Sequence, residues 1–242
     1  MTDRTAIVTG AGKRVGAEIA QALVADGWSV VAHVRHGDDA VAEGAIKVVA
    51  DLADPASAEK IFAAAIDLPP VRLLVNNAAR FAWDGLGELD PREFDAHMAV
   101  NVRAPAMLIE QLAARHQGGD ALIVNMLDSK VSAPNPDYLS YTLAKHALCG
   151  LTDIAARALA SRGIRVNGIA PGLMIQSSGQ TAENFEAMHA NNPLRRGVKP
   201  DDVLAALRYL IEAKSVTGDI ITIDAGHRFL ALDRDVQFLG DA

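Results

Sequence analysis

The chain alternates short, continuously apolar runs with longer stretches whose apolar residues recur at helical spacing. Thr5–Val8 is the first apolar run and ends in Thr9-Gly10. Val15–Ala25 then places Val15, Ile19, Ala22 and Leu23 on one helical face. Ser29–Val34 and Ile46–Ala50 predict a second and a third strand. Ala56–Ile66 reads as a helix with Pro55 near its start, and Arg72–Val75 as a fourth strand. Pro91–His116 predicts one long helix or two joined ones. Ala121–Met126 is a fifth strand after the turn Gly118-Gly119. Tyr138–Ser161 predicts a helix, Ile164–Ile169 a sixth strand, Asp201–Ile211 a helix and Ile220–Ile223 a seventh strand.

The strands are apolar throughout rather than alternating, the pattern of a sheet covered on both faces. Repeated strand–helix alternation implies right-handed crossovers and a Rossmann-type, doubly wound parallel sheet of the α/β class. No break in composition and no repeat divides residues 1–242, so one domain is expected. Segment 174–192 is polar and lacks strand character. It reads either as a mobile lid or as an ordinary surface loop with a short helix. Residues 229–242 are more apolar than a free terminus should be and are expected to dock, against this chain or across a subunit interface.

Half the residues are hydrophobic, enough for a large core, and the formal net charge is -7. That acidic background opposes binding to nucleic acid or anionic membranes, and Arg195-Arg196 is too short to reverse it. No apolar run approaches a membrane span and no signal segment opens the chain, so a soluble cytoplasmic protein is expected. The one cysteine, Cys149, excludes an intrachain disulfide and is expected to pack in a helix. Seven scattered histidines form no His-Glu-x-x-His or Cys/His pattern, so no metal site is expected. No Gly-x-Ser-x-Gly elbow points to serine hydrolysis. His227 is expected at the surface, or reaching a neighbouring subunit's site.

Thr9-Gly10-Ala11-Gly12-Lys13-Arg14-Val15-Gly16 follows the first strand and opens the first helix. Glycines there permit close backbone approach to a pyrophosphate, and the helix start supplies free N–H groups and a positive dipole end. Gly10, Arg14, Val15 and Gly16 are therefore candidate cofactor contacts. At the end of the second strand stands His33-Val34-Arg35-His36, with no carboxylate for ribose hydroxyls. Arg35, helped by His33 or His36, is suited to a 2′-phosphate, which favours NADP(H) over NAD(H).

Tyr141 and Lys145 are four apart on a predicted helix and share a face. A nearby ammonium is expected to lower the tyrosine pKa, so that the phenol exchanges a proton with a carbonyl, alcohol or imine. Tyr138 has Thr142 four residues on and cannot take that role.

Thr9–Gly16, Asn76-Asn77-Ala78 after the fourth strand, Asn101, Tyr141 with Lys145, and Pro171-Gly172 after the sixth strand occur in order. Together they resemble the short-chain dehydrogenase/reductase family over nearly the whole chain. The resemblance implies hydride transfer between a nicotinamide and a small substrate, in a homotetramer. It implies that Lys145 holds the nicotinamide ribose and lowers the Tyr141 pKa, and that Asn101 positions a water in a proton relay. It implies that Asp51 and Leu52 flank the adenine, Asn77 and Ala78 the adenosine ribose, and Pro171 and Gly172 the nicotinamide.

The family usually has a serine thirteen residues before the tyrosine; here that position is Asp128. Asp128, with Arg14 in Thr-Gly-x-x-x-Arg-x-Gly and Phe81 after Asn-Asn-Ala, resembles the pteridine reductase branch, which includes dihydromonapterin and dihydrofolate reductases. That branch implies a pterin or folate substrate. Phe81 would stack on the flat ring. Asp128 would accept ring N–H and amino groups or help deliver a proton through Tyr141, and Arg14 would bind pterin and cofactor phosphate together. A generic short-chain reductase acting on a ketone, sugar or alcohol is the alternative.

Overall fold

The computed structural model describes residues 3–177 and 179–239; Ser178 of the expected lid and residues 240–242 of the expected docked tail lie outside the described residues. The strands are β1 (Thr5–Val8), β2 (Ser29–Val34), β3 (Ile46–Val49), β4 (Val71–Asn76), β5 (Ala121–Met126), β6 (Ile164–Pro171) and β7 (Ile220–Ile223). They form one sheet in the order β3-β2-β1-β4-β5-β6-β7, and every neighbouring pair is parallel. This is the expected doubly wound α/β architecture.

Helices cover both faces. The main ones are α1 (Arg14–Ala25), α2 (Ser57–Ala63), α3 (Pro91–Met98), α4 (Ala104–Arg115), α5 (Leu139–Leu159), α6 (Ala182–His189) and α7 (Pro200–Glu212). On one face Ile7, Val31, Leu74, Ile123 and Val166 pack against Ile61 of α2, Leu108 and Leu112 of α4 and Ala155 of α5. On the other, Ala6, Val8, Val30, Leu73, Val75 and Val124 pack against Ile19 and Leu23 of α1 and Leu207 and Leu210 of α7. Consecutive strand residues thus enter opposite cores, which explains why these strands are apolar at every position.

Several boundaries differ from the sequence expectation. The helix expected over Ala56–Ile66 spans only Ser57–Ala63, and Ala65 and Ile66 close it with turn hydrogen bonds. Pro91–His116 takes the second of its two expected forms: two helices, α3 and α4, joined by a wider π-turn at Ala99–Arg103 that carries Asn101. β6 runs on to Pro171, two residues beyond its predicted end.

A buried polar chain crosses the apolar interior. Asn76 Nδ2 of β4 donates to Asn125 Oδ1 of β5 at 2.8 Å, and Asn125 Nδ2 donates to Thr152 Oγ1 of α5 at 2.9 Å. These bonds fix α5 against the strands beside it, while the Asn76 Oδ1 is left buried without a partner among the described residues.

The turn after β1 is tight. Gly10 has φ +65°, a region that favours glycine. A Cβ on Gly16 would lie 2.1 Å from the Gly10 carbonyl oxygen and 2.4 Å from Asn77 Nδ2. Gly16→Ala is therefore expected to destabilise the fold by about 1–3 kcal/mol. Urea unfolding measures this, and an unchanged midpoint would show that the turn has room to spare.

Candidate active site

A cavity of about 570 Å³ opens at the C-terminal edge of the sheet, beside the junction of β1 and β4. Parallel doubly wound sheets place their ligand crevice there, because successive crossovers leave to opposite faces. The cavity runs from the turn after β1, past Asn77–Phe81, to Tyr141 and the C-terminal segment.

At the turn end, Lys13 precedes α1 without a side-chain cap, so no side chain answers the first N–H groups of that helix. Gly10, Gly12, Lys13, Arg14, Val15 and Gly16 line the cavity. Thr9 and Asn77 hold this turn. Thr9 Oγ1 accepts from the N–H groups of Asn77 and Ala78, both at 3.0 Å. Asn77 Nδ2 donates to the carbonyls of Thr9 and Gly10 at 2.9 and 3.2 Å. Arg14 has φ +54° and its guanidinium donates to the Gln176 carbonyl at 3.1 Å, tying the turn to the segment that follows β6.

His33 is not available to a 2′-phosphate as expected. Its Nδ1 accepts from the Gly10 N–H at 3.2 Å and its Nε2 lies 3.0 Å from the Ala50 carbonyl, which fixes the Nε2–H tautomer. Burial lowers its pKa, so the ring is neutral scaffolding for the turn. Arg35 and His36 are exposed; Arg35 Nε donates to His36 Nε2 at 2.8 Å. Asp51 and Leu52 line the same end, with Asp51 exposed and Leu52 buried.

At the other end, Tyr141 and Lys145 lie one helical turn apart on α5 and are both buried. The start of that helix is set from far away. Tyr138 occupies its N-cap with φ +59° and makes no side-chain cap. Instead Asp84, 56 residues earlier, accepts from the Ser140 N–H at 2.9 Å and from the Ser140 hydroxyl. Asp128 closes the turn after β5: its Oδ1 accepts from the Lys130 N–H at 2.9 Å. Its Oδ2 accepts from the Tyr141 hydroxyl at 2.9 Å, so Asp128 rather than Ser129 is the partner of the phenol.

The electrostatics differ from the expectation in one respect. Lys145 was expected to lower the Tyr141 pKa, but here that pKa is raised well above the ordinary value, first by burial and then by the charge and hydrogen bond of Asp128. Lys145 Nζ donates to the Met126 carbonyl at 2.6 Å and stands 5.5 Å from the centre of the Tyr141 ring. Its own pKa is pushed down to about 8, chiefly by burial. Burial likewise raises the Asp128 pKa, against the opposing pull of the Lys130 N–H, Tyr141 and the two lysine charges.

Phe81 lines the cavity, stacks on Tyr138 at 4.2 Å and meets Tyr141 edge-on at 4.7 Å. Asn101 stands behind it. Asn101 Oδ1 accepts from the Arg80 N–H at 2.8 Å and its Nδ2 donates to the Arg80 carbonyl at 2.9 Å. Asn101 is not among the residues lining the cavity; its side chain anchors the loop that presents Phe81. Pro171 and Gly172 border the cavity at the end of β6, with the Gly172 N–H bonded to the Ile223 carbonyl at 2.8 Å.

Among the lining residues that escaped the sequence reading are Lys130, Asp235 and, in its present setting, His227. Nothing local marks Asp235 and His227, since the C-terminal segment reaches the cavity only through tertiary packing. His227 lies in this chain's own cavity rather than on its surface, and the tail docks on this chain. Among the described residues no group of three or more His, Cys, Asp or Glu is arranged to hold a metal, and no helix is long and apolar enough to cross a membrane.

Residues 10–228 match the family described as Enoyl-(Acyl carrier protein) reductase. Pteridine reductase 1 of Leishmania tarentolae is 34% identical, over 93% of this chain and 96% of that protein. L-xylulose reductase of Bos taurus is 33% identical, over 96% of this chain and 98% of that protein. The crystal structure of FolM Alternative dihydrofolate reductase 1 from Brucella suis in complex with NADP superposes with a TM-score of 0.88 at 35% identity, covering 96% of this chain and 98% of that one.

Because the Asp128 carboxylate raises the Tyr141 pKa, Asp128→Asn is expected to let Tyr141 ionise at lower pH. An ultraviolet difference titration of the phenolate reads this directly. A curve superimposable on that of the unsubstituted protein would remove Asp128 from the electrostatics of the phenol.

Proposed function

Since the chain belongs to the short-chain dehydrogenase/reductase family, matching over residues 10–228 the model described as Enoyl-(Acyl carrier protein) reductase, we propose that it is an NADPH-dependent reductase of a dihydropterin or dihydrofolate-type substrate. The observation that carries this reading is the bond from Tyr141 to Asp128, a carboxylate where the family usually has a serine. Phe81 and Arg14, which both line the cavity, support it. So does the likeness to a pteridine reductase and to an alternative dihydrofolate reductase.

The cradle of Gly10, Gly12 and Gly16 at an uncapped helix start has the chemistry to hold a pyrophosphate. Arg35, with His36 beside it, would pair with a 2′-phosphate. Lys145, Asn77, Ala78, Pro171 and Gly172 would hold the nucleoside parts, with Asp51 and Leu52 beside the adenine. The dinucleotide, when bound, supplies the hydride. The protein's part is the proton. Tyr141 keeps its proton at neutral pH because burial and Asp128 both favour the phenol, so it stands ready as a donor in the reductive direction. Lys145 is charged below about pH 8 and would offset the phenolate that remains after donation. Asp128 orients the phenol and retains lone pairs for donors on the substrate. Phe81 offers an apolar face to a flat ring.

The relative that is an L-xylulose reductase favours a second reading, reduction of a sugar or small ketone. Exposed Met107 on α4 and Leu143 and Ile154 on α5 support a homo-oligomer in which these helices pair between subunits.

NADPH oxidation with dihydrobiopterin, dihydromonapterin and dihydrofolate, beside a panel of ketones and sugars, tests the substrate class. Turnover of ketones alone would sink the pterin reading. Tyr141→Phe is expected to cut turnover by about 100-fold or more with NADPH affinity nearly unchanged; full activity would strip Tyr141 of its role. Arg35→Ala is expected to weaken NADPH more than NADH, and equal losses would exclude Arg35 as the 2′-phosphate partner.

A further inference from the structure

The C-terminal segment is tied to the cavity wall at several points. Arg234 makes a two-pronged pair with Asp137, both contacts at 2.8 Å, and the Asp235 N–H donates to the same carboxylate at 2.8 Å. The Tyr138 hydroxyl donates to Gln237 Oε1 at 2.7 Å, and Asn184 of α6 donates to the Leu239 carbonyl. Ala231, Leu232, Asp235 and Val236 thereby become part of the lining.

Lys130 is the hinge of this arrangement. Its buried Nζ donates to Asn135 Oδ1 at 2.8 Å and pairs with Asp235 Oδ2 at 2.8 Å. Its backbone N–H answers Asp128. One residue therefore links two carboxylates that both line the cavity. Asp235 Oδ1 also accepts from the Gln237 N–H at 3.1 Å. A carboxylate offers about four acceptor positions, so Asp235 retains lone pairs for a ligand. Nearby, His227 Nε2 is buried with no hydrogen-bond partner among the described residues. Such a group is destabilising unless something answers it.

We propose that residues 231–238 form a strap that walls the substrate end of the cavity, and that Asp235, held by Lys130, is a specificity-determining residue that favours rings bearing N–H or amino donors over simple ketones. The wall is rich in acceptors: Asp128 and Asp235 stand on either side of Lys130, and a ring with several N–H groups satisfies both. An aliphatic ketone brings no donor and leaves them unanswered, which selects against it. The donor-bearing ring rests on the pterin reading, whereas the strap itself does not.

The test compares Asp235→Asn, Gln237→Ala and the Lys130→Met/Asp235→Asn pair, with thermal melting to confirm folding. Gln237→Ala leaves the charges intact and keeps the test open where a charge variant fails to fold. Asp235→Asn is expected to raise the KM for dihydrobiopterin about tenfold, with kcat within about twofold and NADPH affinity unchanged. Gln237→Ala is expected to raise the same KM more modestly. The double variant is expected to match Asp235→Asn rather than to add to it, as residues acting as one unit do. Unchanged KM in all three, or a parallel loss of NADPH affinity, overturns the proposal. If the unsubstituted enzyme reduces a ketone and no dihydropterin, the pterin reading fails by itself. The preference for donor-bearing rings then falls with it. The strap is then judged on that ketone with Gln237→Ala, where a raised KM sustains it and an unchanged KM ends it.

Discussion

The geometry of this protein follows from one constraint: β1 and β4 lie side by side, yet the helices that follow them leave to opposite faces of the sheet. α1 packs on one core and α4 on the other, so the backbone parts above the junction and a crevice opens between Thr9–Gly16 and Asn76–Phe81. Everything that touches a ligand in the proposed reading hangs on the rim of that crevice. The sheet below is apolar on both sides and is sealed, which leaves its C-terminal edge as the place where polar chemistry meets an opening.

Polar residues inside the fold serve that edge rather than the sheet. Asn77 and Thr9 lock the turn after β1 to the end of β4. His33, neutral and doubly bonded, props Gly10 from beneath. Asn76, Asn125 and Thr152 align β4, β5 and α5, and Asp84 sets the first turn of α5. Tyr141, Lys145 and Asp128 thus meet on a rigid frame, and low dielectric sharpens their interaction. Burial raises the phenol and the carboxylate and lowers the amine, so each group is biased towards its neutral form. A site so arranged favours the protonated tyrosine.

How much of this was legible in the chain depends on how local each cause is. The strands were readable because burial on both faces demands uninterrupted apolar runs, and four of the seven match their predicted limits residue for residue. The glycine turn and the Tyr141–Lys145 pair were readable because their spacing within one element dictates which side they share. Asp128 was readable as a departure, a carboxylate in a position where the resembling family has a hydroxyl. The role of His33 was misjudged, because a sequence does not reveal which buried carbonyl or N–H will claim a side chain.

The sequence alone determined the α/β architecture, the nucleotide-type turn and the identity of the central tyrosine, since each rests on local periodicity or spacing. Tertiary structure decided the rest. It bonded Tyr141 to Asp128 and raised its pKa where Lys145 alone would have lowered it, because burial and a nearby carboxylate outweigh an ammonium committed to Met126. It also brought Lys130, Asp235 and His227 to one cavity from turns and a tail far apart in the chain. No spacing rule reaches across such a distance; only the packing of the tail against the loop before α5 and against α6 does.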